Sequence, residues 1–311
     1  MLRRVLLAAS ASPRVRRLTT TAPLSRDVVK RFVAGETAAD VLAVAERLVG
    51  DGMSVTMDYL GEDTTAPEHA AAVAGEYVAL IGMLAAAGLT QGGRAEVSVK
   101  PTAVGLGLPE HGEKTAAEHI ARICAAARAA GTTVTVDMED STRVEPTLRL
   151  VGQARQDYPE LGCVIQSYLR RSPDDCEALA TAGSRVRLCK GAYRAPDGVA
   201  LAARSEVDRA YARCLRILLG GQGYPMLATH DPRLIAIARS LATTIGRDPG
   251  SFEYQMLYGI RTDEQRRLIA EGAQVRVYVP YGSDWYGYFM RRLAERPANL
   301  TFFLRALASR R

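Results

Sequence analysis

The lysines are the residues whose distribution points most directly to chemistry in this chain. Only four of the 40 basic side chains are lysines, at Lys30, Lys100, Lys114 and Lys190, and arginine fills the other positions. Lysine is a compact point charge on a slim stem, whereas arginine is a broad planar fork, so the two are not exchangeable in a tight pocket. We therefore expect a functional role for a lysine that follows a buried strand.

Polar side chains end eight short β-branched runs that are typical of buried strands. In chain order these residues are Asp58, Lys100, Asp137, Gln166, Lys190, His230, Gln255 and Tyr278. Carboxylates, cations and amides in this combination can bind a small anionic substrate and hold or transfer protons. Polar residues also collect wherever a strand meets a loop, which would account for part of the set.

A second cluster lies near the C-terminus, in the segment Arg291-Arg-Leu-Ala-Glu295. On a helix, Tyr288, Arg291, Arg292 and Glu295 project within a wedge of about 100°. Two adjacent guanidinium groups beside a phenol form a fork that suits a carboxylate. Taken alone, the motif is more typical of a solvent-exposed face on which Arg291 and Glu295 form an i,i+4 ion pair.

The elements that must position these residues alternate regularly beyond residue 35. The strand-like runs span residues 53–59, 95–99, 132–138, 163–167, 185–189, 226–229, 252–256 and 274–279. Helical stretches between them include 66–89, 114–130, 145–158, 202–219 and 232–244. Eight strand–helix units predict an α/β fold with a closed (β/α)₈ barrel, whose active site lies at the carboxyl ends of its strands. An open doubly wound sheet is the alternative, although no strand is followed by a Gly-x-Gly-x-x-Gly turn.

Composition excludes several classes of protein. A chain of 311 residues with 48% hydrophobic and 24% charged residues is globular rather than disordered. No apolar run approaches the roughly 20 residues of a membrane span. The net charge of +6 is dispersed, which disfavours a nucleic-acid partner. Five cysteines without a Cys-x-x-Cys pair predict neither disulfides nor a metal site, and favour a reducing compartment.

The N-terminal segment is basic. Residues 1–26 contain six arginines and no acidic residue. The segment could be a short signal, a mitochondrial-type presequence, or a basic amphipathic helix that lies on the domain or on anionic lipid. We therefore divide the chain into a basic helical segment, residues 1–34, and a single catalytic domain, residues 35–311.

Taken together, these segments resemble the proline dehydrogenase family of the monofunctional bacterial type. The most specific motifs are Arg187-Leu-Cys-Lys-Gly-Ala-Tyr193 and Arg291-Arg-Leu-Ala-Glu295, and similar runs follow in order from residue 32 to the C-terminus. Residues 2–13 also look like the start of actinobacterial members, which favours an N-terminal helix over a cleaved presequence. The chain is too short for the second catalytic domain of bifunctional members, so a separate pyrroline-5-carboxylate dehydrogenase is expected to consume the product.

The resemblance implies a distorted barrel with extra N-terminal helices and a last helix over the barrel mouth. It implies that the protein holds FAD and oxidises L-proline to Δ1-pyrroline-5-carboxylate, the first step of proline catabolism to glutamate. Hydride would pass from proline C5 to flavin N5, and the electrons would pass to a membrane quinone. The expected location is the cytoplasm, with peripheral contact to the inner face of the membrane through the N-terminal helix. The oligomeric state is left open.

Site residues follow from the resemblance, position by position. Lys100, Arg291 and Arg292 would hold the substrate carboxylate, and Glu295 would orient these cations. Leu257, Tyr278 and Tyr288 would enclose the ring, and Asp137 and Tyr193 would complete the pocket. The implied flavin contacts are Asp137, Gln166, Arg187, Lys190, Gly191, Ala192, Tyr193, Thr229, His230, Gln255 and Leu257. Glu62 would pair with Arg291 when no substrate is bound.

Two other enzyme classes fit part of the pattern. A lyase of the class I aldolase type would use Lys100 or Lys190 as a Schiff base, which explains the rare lysines but not the arginine pair. Another flavin barrel, which reduces methylenetetrahydrofolate, would differ by depending on a nicotinamide.

Overall fold

Eight parallel strands close into a barrel in residues 29–289, the part of the chain that the computed structural model describes. Each strand pairs with the next, and the last pairs with the first. The strands are β1 (Ser54–Tyr59), β2 (Ala95–Val99), β3 (Val134–Val136), β4 (Gly162–Gln166), β5 (Arg185–Cys189), β6 (Tyr224–Ala228), β7 (Glu253–Leu257) and β8 (Val275–Tyr281). Each overlaps one of the predicted runs, so the closed barrel is confirmed and the open sheet is excluded.

Helices connect consecutive strands on the outside of the barrel. They are α2 (Pro67–Ala86), α3 (Gly112–Ala129), α4 (Val144–Asp157), α5 (Ser172–Leu179), α6 (Arg204–Gly220), α7 (Pro232–Ile245) and α8 (Thr262–Ala270). A further helix, α1 (Ala38–Gly50), precedes β1 and packs against both β1 and β8. The seam at which the barrel closes is therefore covered by α1 rather than by the helical residues 285–289 that follow β8.

Helix α2 changes one expectation from the sequence. Among the described residues it is the one helix long and apolar enough to cross a membrane, by length and composition alone. The prediction that no run approaches this length was therefore wrong. Tyr77, Leu80 and Leu84 of this helix are buried in the main hydrophobic core. The Tyr77 hydroxyl donates to the carbonyl of Ser98 in β2 at 2.8 Å, as expected of a barrel helix.

The strands alternate between apolar and polar side chains. In a parallel barrel covered by helices, both faces of a strand are usually apolar. Here Val55 and Met57 of β1 lie in the core between strands and helices, whereas Thr56 donates to Glu96 of β2 at 2.8 Å inside the barrel. The same alternation recurs in β2, β5, β7 and β8. The barrel interior is therefore lined by charged and polar groups.

The segment before α1 is fastened to the end of β8. The amide of Ala34 donates to the carbonyl of Pro280, and the amide of Gly282 donates to the carbonyl of Gly35, both at 2.9 Å. Gly282 has a φ of +118°, which lets the chain turn from β8 into residues 285–289. These bonds bring residues 29–35 beside the helical residues 285–289 that follow β8.

An apolar cluster at the carboxyl end of the barrel joins these two segments. We call it the mouth cluster; it comprises Val29, Phe32, Val33, Leu60, Ile260, Trp285, Tyr286, Tyr288 and Phe289. Leu257, at the end of β7, packs against it. The boundary that we placed at residue 34 thus has packed residues on its N-terminal side.

Candidate active site

The polar residues inside the barrel lie at two levels. The barrel floor, near the amino ends of the strands, consists of Glu96, Arg185, Glu253 and Arg276. The upper site, toward the carboxyl ends, consists of Asp58, Lys100, Asp137, Arg187 and Tyr278. The strand-end set predicted from the sequence contains four of them, Asp58, Lys100, Asp137 and Tyr278. The fifth, Arg187, was expected only from the family resemblance.

Asp137 joins the members of the upper site. Its Oδ1 accepts hydrogen bonds from Arg187 Nη1 at 2.5 Å and from the Ser98 hydroxyl at 2.8 Å. Its Oδ2 accepts from the Tyr278 hydroxyl at 2.7 Å and lies 3.9 Å from Lys100 Nζ. Because these residues come from β2, β3, β5 and β8 or the positions just after them, the closed barrel brings together groups that are far apart in sequence.

Lys100 forms a buried ion pair that the sequence did not predict. Its Nζ lies 2.5 Å from Asp58 Oδ1, and both side chains are less than a tenth exposed. Burial lowers the pKa of Lys100, but the carboxylates of Asp58 and Asp137 outweigh that effect and hold it above its usual value. Burial also raises the pKa of Asp58 to about 6, against the pull of Lys100. Lys100 is therefore a protonated cation at neutral pH.

Tyr278 is a neutral phenol in this arrangement. Burial, with the nearby charges of Asp137 and Asp58, raises the pKa of Tyr278 well above its usual value. The Arg187 guanidinium carbon lies 5.1 Å from the centroid of the Tyr278 ring. This distance allows a cation–π contact. The hydroxyl of Tyr278 donates to Asp137, while its ring forms part of the wall around the guanidinium.

Glu139 is a further buried carboxyl group that the sequence analysis missed. It accepts hydrogen bonds from the amide of Thr102 at 2.9 Å and from the Thr102 hydroxyl at 2.5 Å. Burial raises the pKa of Glu139 to about 7. The Gln166 amide donates to the Glu139 carbonyl at 2.6 Å. The signal was present, because Glu139 follows Asp137 by two residues beyond the same strand.

Lys190 lies farther round the carboxyl edge of the barrel. Its Nζ forms ion pairs with Asp208 at 2.5 Å and with Asp231 at 3.1 Å. Hydrogen bonds from Arg233 and from Lys190 hold the pKa of Asp231 well below its usual range. The two lysines found from the sequence therefore both end in acidic surroundings, but in separate ion-pair networks.

The positions after β5 and β6 have their own constraints. Gly191 has a φ of +101°, and a Cβ there would lie 2.1 Å from the ring of Tyr168, so glycine is required. Ala192 is exposed and Tyr193 is half-buried. The Thr229 hydroxyl accepts from the amide of Asp231 at 3.1 Å.

The ends of β6 and β7 are tied together. Nε2 of His230 accepts from the amide of Leu257 at 2.9 Å, so this ring nitrogen carries no proton. The His230 carbonyl accepts from Arg261 at 2.7 Å. His230 therefore fixes the strand end that carries Leu257.

The arginine pair lies outside the described residues. Arg291, Arg292 and Glu295 all follow residue 289. The suggested pairing of Glu62 with Arg291 therefore also involves a residue outside the described part of the chain. Tyr288 is described and is buried in the mouth cluster, which Leu257 also contacts.

One donor of the upper site makes no hydrogen bond in the described residues. Nη2 of Arg187 is buried, and Oε1 of Glu96 on the barrel floor lies 4.0 Å from it. A buried donor without an acceptor is costly, so a group that is never paired would be disfavoured. The position suits an acceptor supplied by a bound molecule.

Comparison with known proteins gives one family. The family model of proline dehydrogenase matches residues 41–305. Proline dehydrogenase 1 of Bacillus subtilis is 38% identical over 278 residues, which cover 89% of this chain and 90% of that protein. Proline dehydrogenase of Deinococcus radiodurans is 39% identical over 311 residues, which cover 98% of this chain and 97% of that protein.

A solved structure has the same fold. Proline utilization A (PutA) from Bdellovibrio bacteriovorus, inactivated by N-propargylglycine, superposes with a TM-score of 0.79 and 25% identity. The match covers 86% of this chain and 32% of that one. The chain therefore belongs to the proline dehydrogenase family: it is a flavoprotein oxidoreductase that oxidises proline, the first step of proline catabolism.

Proposed function

We propose that the flavin is FAD, that the product is Δ1-pyrroline-5-carboxylate, and that a membrane quinone accepts the electrons. The observation that supports this site is the convergence of Lys100, Asp137, Arg187 and Tyr278 at the carboxyl end of the barrel. The same end of the barrel carries the apolar mouth cluster that could enclose a small ring.

The residues present suit a flavin. Its ring system offers carbonyl oxygens and ring nitrogens as hydrogen-bond acceptors and gains negative charge on reduction. Arg187 supplies a positive charge and a buried donor, Nη2, that makes no hydrogen bond in the described residues. A fixed cation beside a site of developing negative charge stabilises it more in a buried environment than in water. When bound, the flavin supplies the hydride acceptor for the oxidation.

The rest of the cofactor is proposed to lie across the ends of β4, β5 and β6. The residues that we assign to it there are Gln166, Lys190, Gly191, Ala192, Tyr193, Thr229 and His230. They end or follow consecutive strands of the barrel, so they occupy one continuous arc of its edge. Such an arc suits an extended ligand.

Charge balance indicates where the substrate carboxylate binds. Asp58 and Asp137 offset Lys100 and Arg187 one for one in the upper site. An added carboxylate would therefore leave a buried negative charge, which is costly unless further cations accompany it. We assign that role to Arg291 and Arg292, with Lys100 as the third cation and Glu295 as the group that orients the pair.

The ring of proline is proposed to lie between Leu257, Tyr278 and Tyr288, with Asp137 and Tyr193 completing the pocket. Leu257 packs on the mouth cluster that contains Tyr288. Holding the carboxylate and the ring together fixes the orientation of the amine. Such positioning can supply several kcal/mol of the barrier.

The state of Lys100 separates this function from the lyase alternative. A Schiff base requires a neutral lysine amine, whereas Asp58 and Asp137 raise the pKa of Lys100 and keep its Nζ protonated. Lys190 is likewise held between two carboxylates. The protonated Lys100 is not prepared to act as a nucleophile, and the Nζ of Lys190 is already engaged in two ion pairs.

The visible spectrum of the purified protein tests the proposal. We expect a flavin spectrum that bleaches on anaerobic addition of L-proline, and FAD in the supernatant after denaturation. D-proline serves as the matched control, because it has the same groups with the opposite placement of the carboxylate. A colourless protein that does not take up FAD, or a yellow one that L-proline does not bleach, would refute the proposal.

A membrane quinone as acceptor and a separate pyrroline-5-carboxylate dehydrogenase as the next enzyme complete the proposed scheme. The basic N-terminal segment would contact anionic lipid, because Arg side chains are attracted to a negative surface. Deleting residues 1–26 should then abolish binding to anionic liposomes while proline still bleaches the flavin.

A further inference from the structure

Gln255 has both ends of its amide engaged inside the protein. It lies on β7 and is 3% exposed. Its Oε1 accepts from Nε of Arg187 at 2.6 Å, and its Nε2 donates to Oε1 of Glu253 at 2.5 Å. The orientation of this amide is fixed by its partners, because only the oxygen can accept from a guanidinium.

Glu253 is itself fixed by the barrel floor. Its Oε1 also accepts from Nε of Arg276 at 2.7 Å, and its Oε2 accepts from the Tyr224 hydroxyl at 3.3 Å. Arg276 in turn donates to the carbonyls of Val55 at 3.0 Å and Gly93 at 3.1 Å. A continuous chain of hydrogen bonds therefore runs from the backbone of the floor to Arg187.

This chain of hydrogen bonds ends at one edge of the Arg187 guanidinium. Nε is held by Gln255, and Nη1 is held by Asp137 and Ser98. Two anchored nitrogens define the plane of a rigid guanidinium, so they also define the direction of Nη2. Without the bond to Gln255, the group could rotate about its contact with Asp137.

We propose that Gln255 and Glu253 are positioning residues that hold the Arg187 guanidinium in one fixed place in the upper site, from which its charge acts on the flavin, and that Gln255 acts through Arg187 rather than by touching the cofactor. The proposal rests on the proposed function of Arg187. It reassigns Gln255, which the resemblance placed among the flavin contacts, and it gives a role to a carboxylate of the floor that the reaction does not otherwise use.

The test is the midpoint potential of the bound flavin in the substrate-free holoenzyme. A correctly oriented cation favours the reduced, negatively charged flavin. Gln255→Met should therefore lower the potential in the same direction as Arg187→Met. We expect the preference for the reduced form to fall about tenfold, which is about 30 mV for a two-electron couple. Gln255→Leu repeats the test if the methionine variant does not fold.

A double-mutant cycle separates positioning from a direct contact. If Gln255 acts through Arg187, then Gln255→Met should change the potential little in an Arg187→Met background. A shift that is fully additive, or no shift in the single variant, would overturn the proposal. If Arg187→Met alone leaves the potential unchanged, the proposed function of Arg187 fails first, and the positioning role falls with it.

Two further variants serve as controls. Glu253→Gln keeps an oxygen acceptor for Gln255 but removes the charge. If Glu253 acts by positioning, the midpoint potential should fall by less than half as much as in Gln255→Met. A rise in the midpoint potential would instead indicate a simple charge effect. Gln265→Met changes another buried glutamine, whose amide donates to the carbonyls of Leu257 and Ile260. It should leave the potential at the wild-type value.

Discussion

Glu96 on the barrel floor has its pKa shifted in the opposite direction from Asp58 and Glu139 near the mouth. Burial favours the protonated form of Glu96, but Arg185, Arg276 and Arg187 together hold the pKa of Glu96 below its usual range. Near the mouth, burial prevails and raises the pKa of Asp58 to about 6 and that of Glu139 to about 7. The negative charge of Glu96 on the floor is thus fully paired with arginines.

The floor and the upper site also differ in which residues complete them. The floor is completed by residues of the barrel itself, since Glu96 accepts from Thr56 and Arg185 on strands and from Thr133 just before β3, at 2.6 to 2.8 Å. The upper site has its charges matched but lacks a surplus of cations in residues 29–289. The floor therefore provides rigidity, and the upper site is the place where an added charge changes the balance between carboxylates and cations.

Breaking the floor should have the largest effect on stability. Glu96→Gln leaves Arg185 and its neighbouring arginines without their shared carboxylate, and removing one partner of a buried ion pair costs about 3–5 kcal/mol. Asp58→Asn should cost less than half as much, because Lys100 keeps Asp137 at 3.9 Å and burial already disfavours the Asp58 anion.

Urea unfolding of the two variants beside wild type measures this contrast. Glu46→Gln, which changes an exposed glutamate on α1, is the control and should leave the free energy of unfolding within about 0.5 kcal/mol. Equal losses for Glu96→Gln and Asp58→Asn would show that the floor and the upper site do not differ in the way described.

Glu139 should make stability depend on pH near neutrality. Its pKa of about 7 in the folded protein exceeds the ordinary value of 4.5, so the folded state binds the proton more tightly than the unfolded state. This contribution is fully present below pH 4.5 and is lost as the pH rises to about 7. The loss amounts to about 3 kcal/mol, from 1.36 kcal/mol per pKa unit.

The measurement is the difference in unfolding free energy between Glu139→Gln and wild type at pH 5, 6, 7 and 8. We expect the difference to grow in favour of Glu139→Gln as the pH rises, since glutamine keeps the size and has no charge to bury. The matched control is Glu118→Gln on α3, whose side chain is 66% exposed. A flat difference for Glu139→Gln would contradict the assignment.

The charge balance of the upper site predicts a strong effect of Arg292→Met on substrate binding. Losing one partner of a desolvated, hydrogen-bonded charge pair, which is the role proposed for Arg292 with the substrate carboxylate, costs at least about 2 kcal/mol, so KM for proline should rise at least about 30-fold. The flavin spectrum should not change. Arg266→Met, at a guanidinium that is 69% exposed on α8, is the control. An unchanged KM would refute the carboxylate role.

The barrel and the upper site could both be predicted from the positions of the strand ends in the sequence. Lys100 and Asp137 directly follow strands, and the barrel topology alone places such positions at one edge. The floor was not predicted, because Glu96 and Arg185 lie within runs that are typical of buried apolar strands. The signal was their alternation with apolar residues, as in Arg185-Val-Arg-Leu-Cys189. The ion pair between Asp58 and Lys100 depends on the pairing and register of β1 and β2, which the pattern within each strand does not show.

The packing of residues 29–33 against the helix after β8 also escaped prediction. These contacts join segments about 250 residues apart, and neither segment has a periodic pattern long enough to show what it packs against. Tertiary contacts of this kind follow from the path of the chain after Gly282 rather than from local preference.

The smallest effect that we predict concerns the mouth cluster. Trp285, the only tryptophan of the chain, donates from its indole nitrogen to Glu36 at 3.1 Å and lies edge-on to Phe289, with ring centroids 6.0 Å apart. Glu36→Ala removes this bond, which is worth about 0.5–1.5 kcal/mol. We expect tryptophan emission to shift to longer wavelength because the indole becomes more hydrated.

The same variant tests whether the mouth can loosen while the floor stays intact. Its KM for proline should rise by about twofold to fivefold, in line with a loss of up to 1 kcal/mol, while kcat and the flavin midpoint potential stay at wild-type values. Glu46→Ala on α1 controls for the loss of an exposed carboxylate. A changed flavin potential in Glu36→Ala would show that the mouth and the floor respond together, because the potential depends on Arg187 and the floor rather than on the mouth cluster.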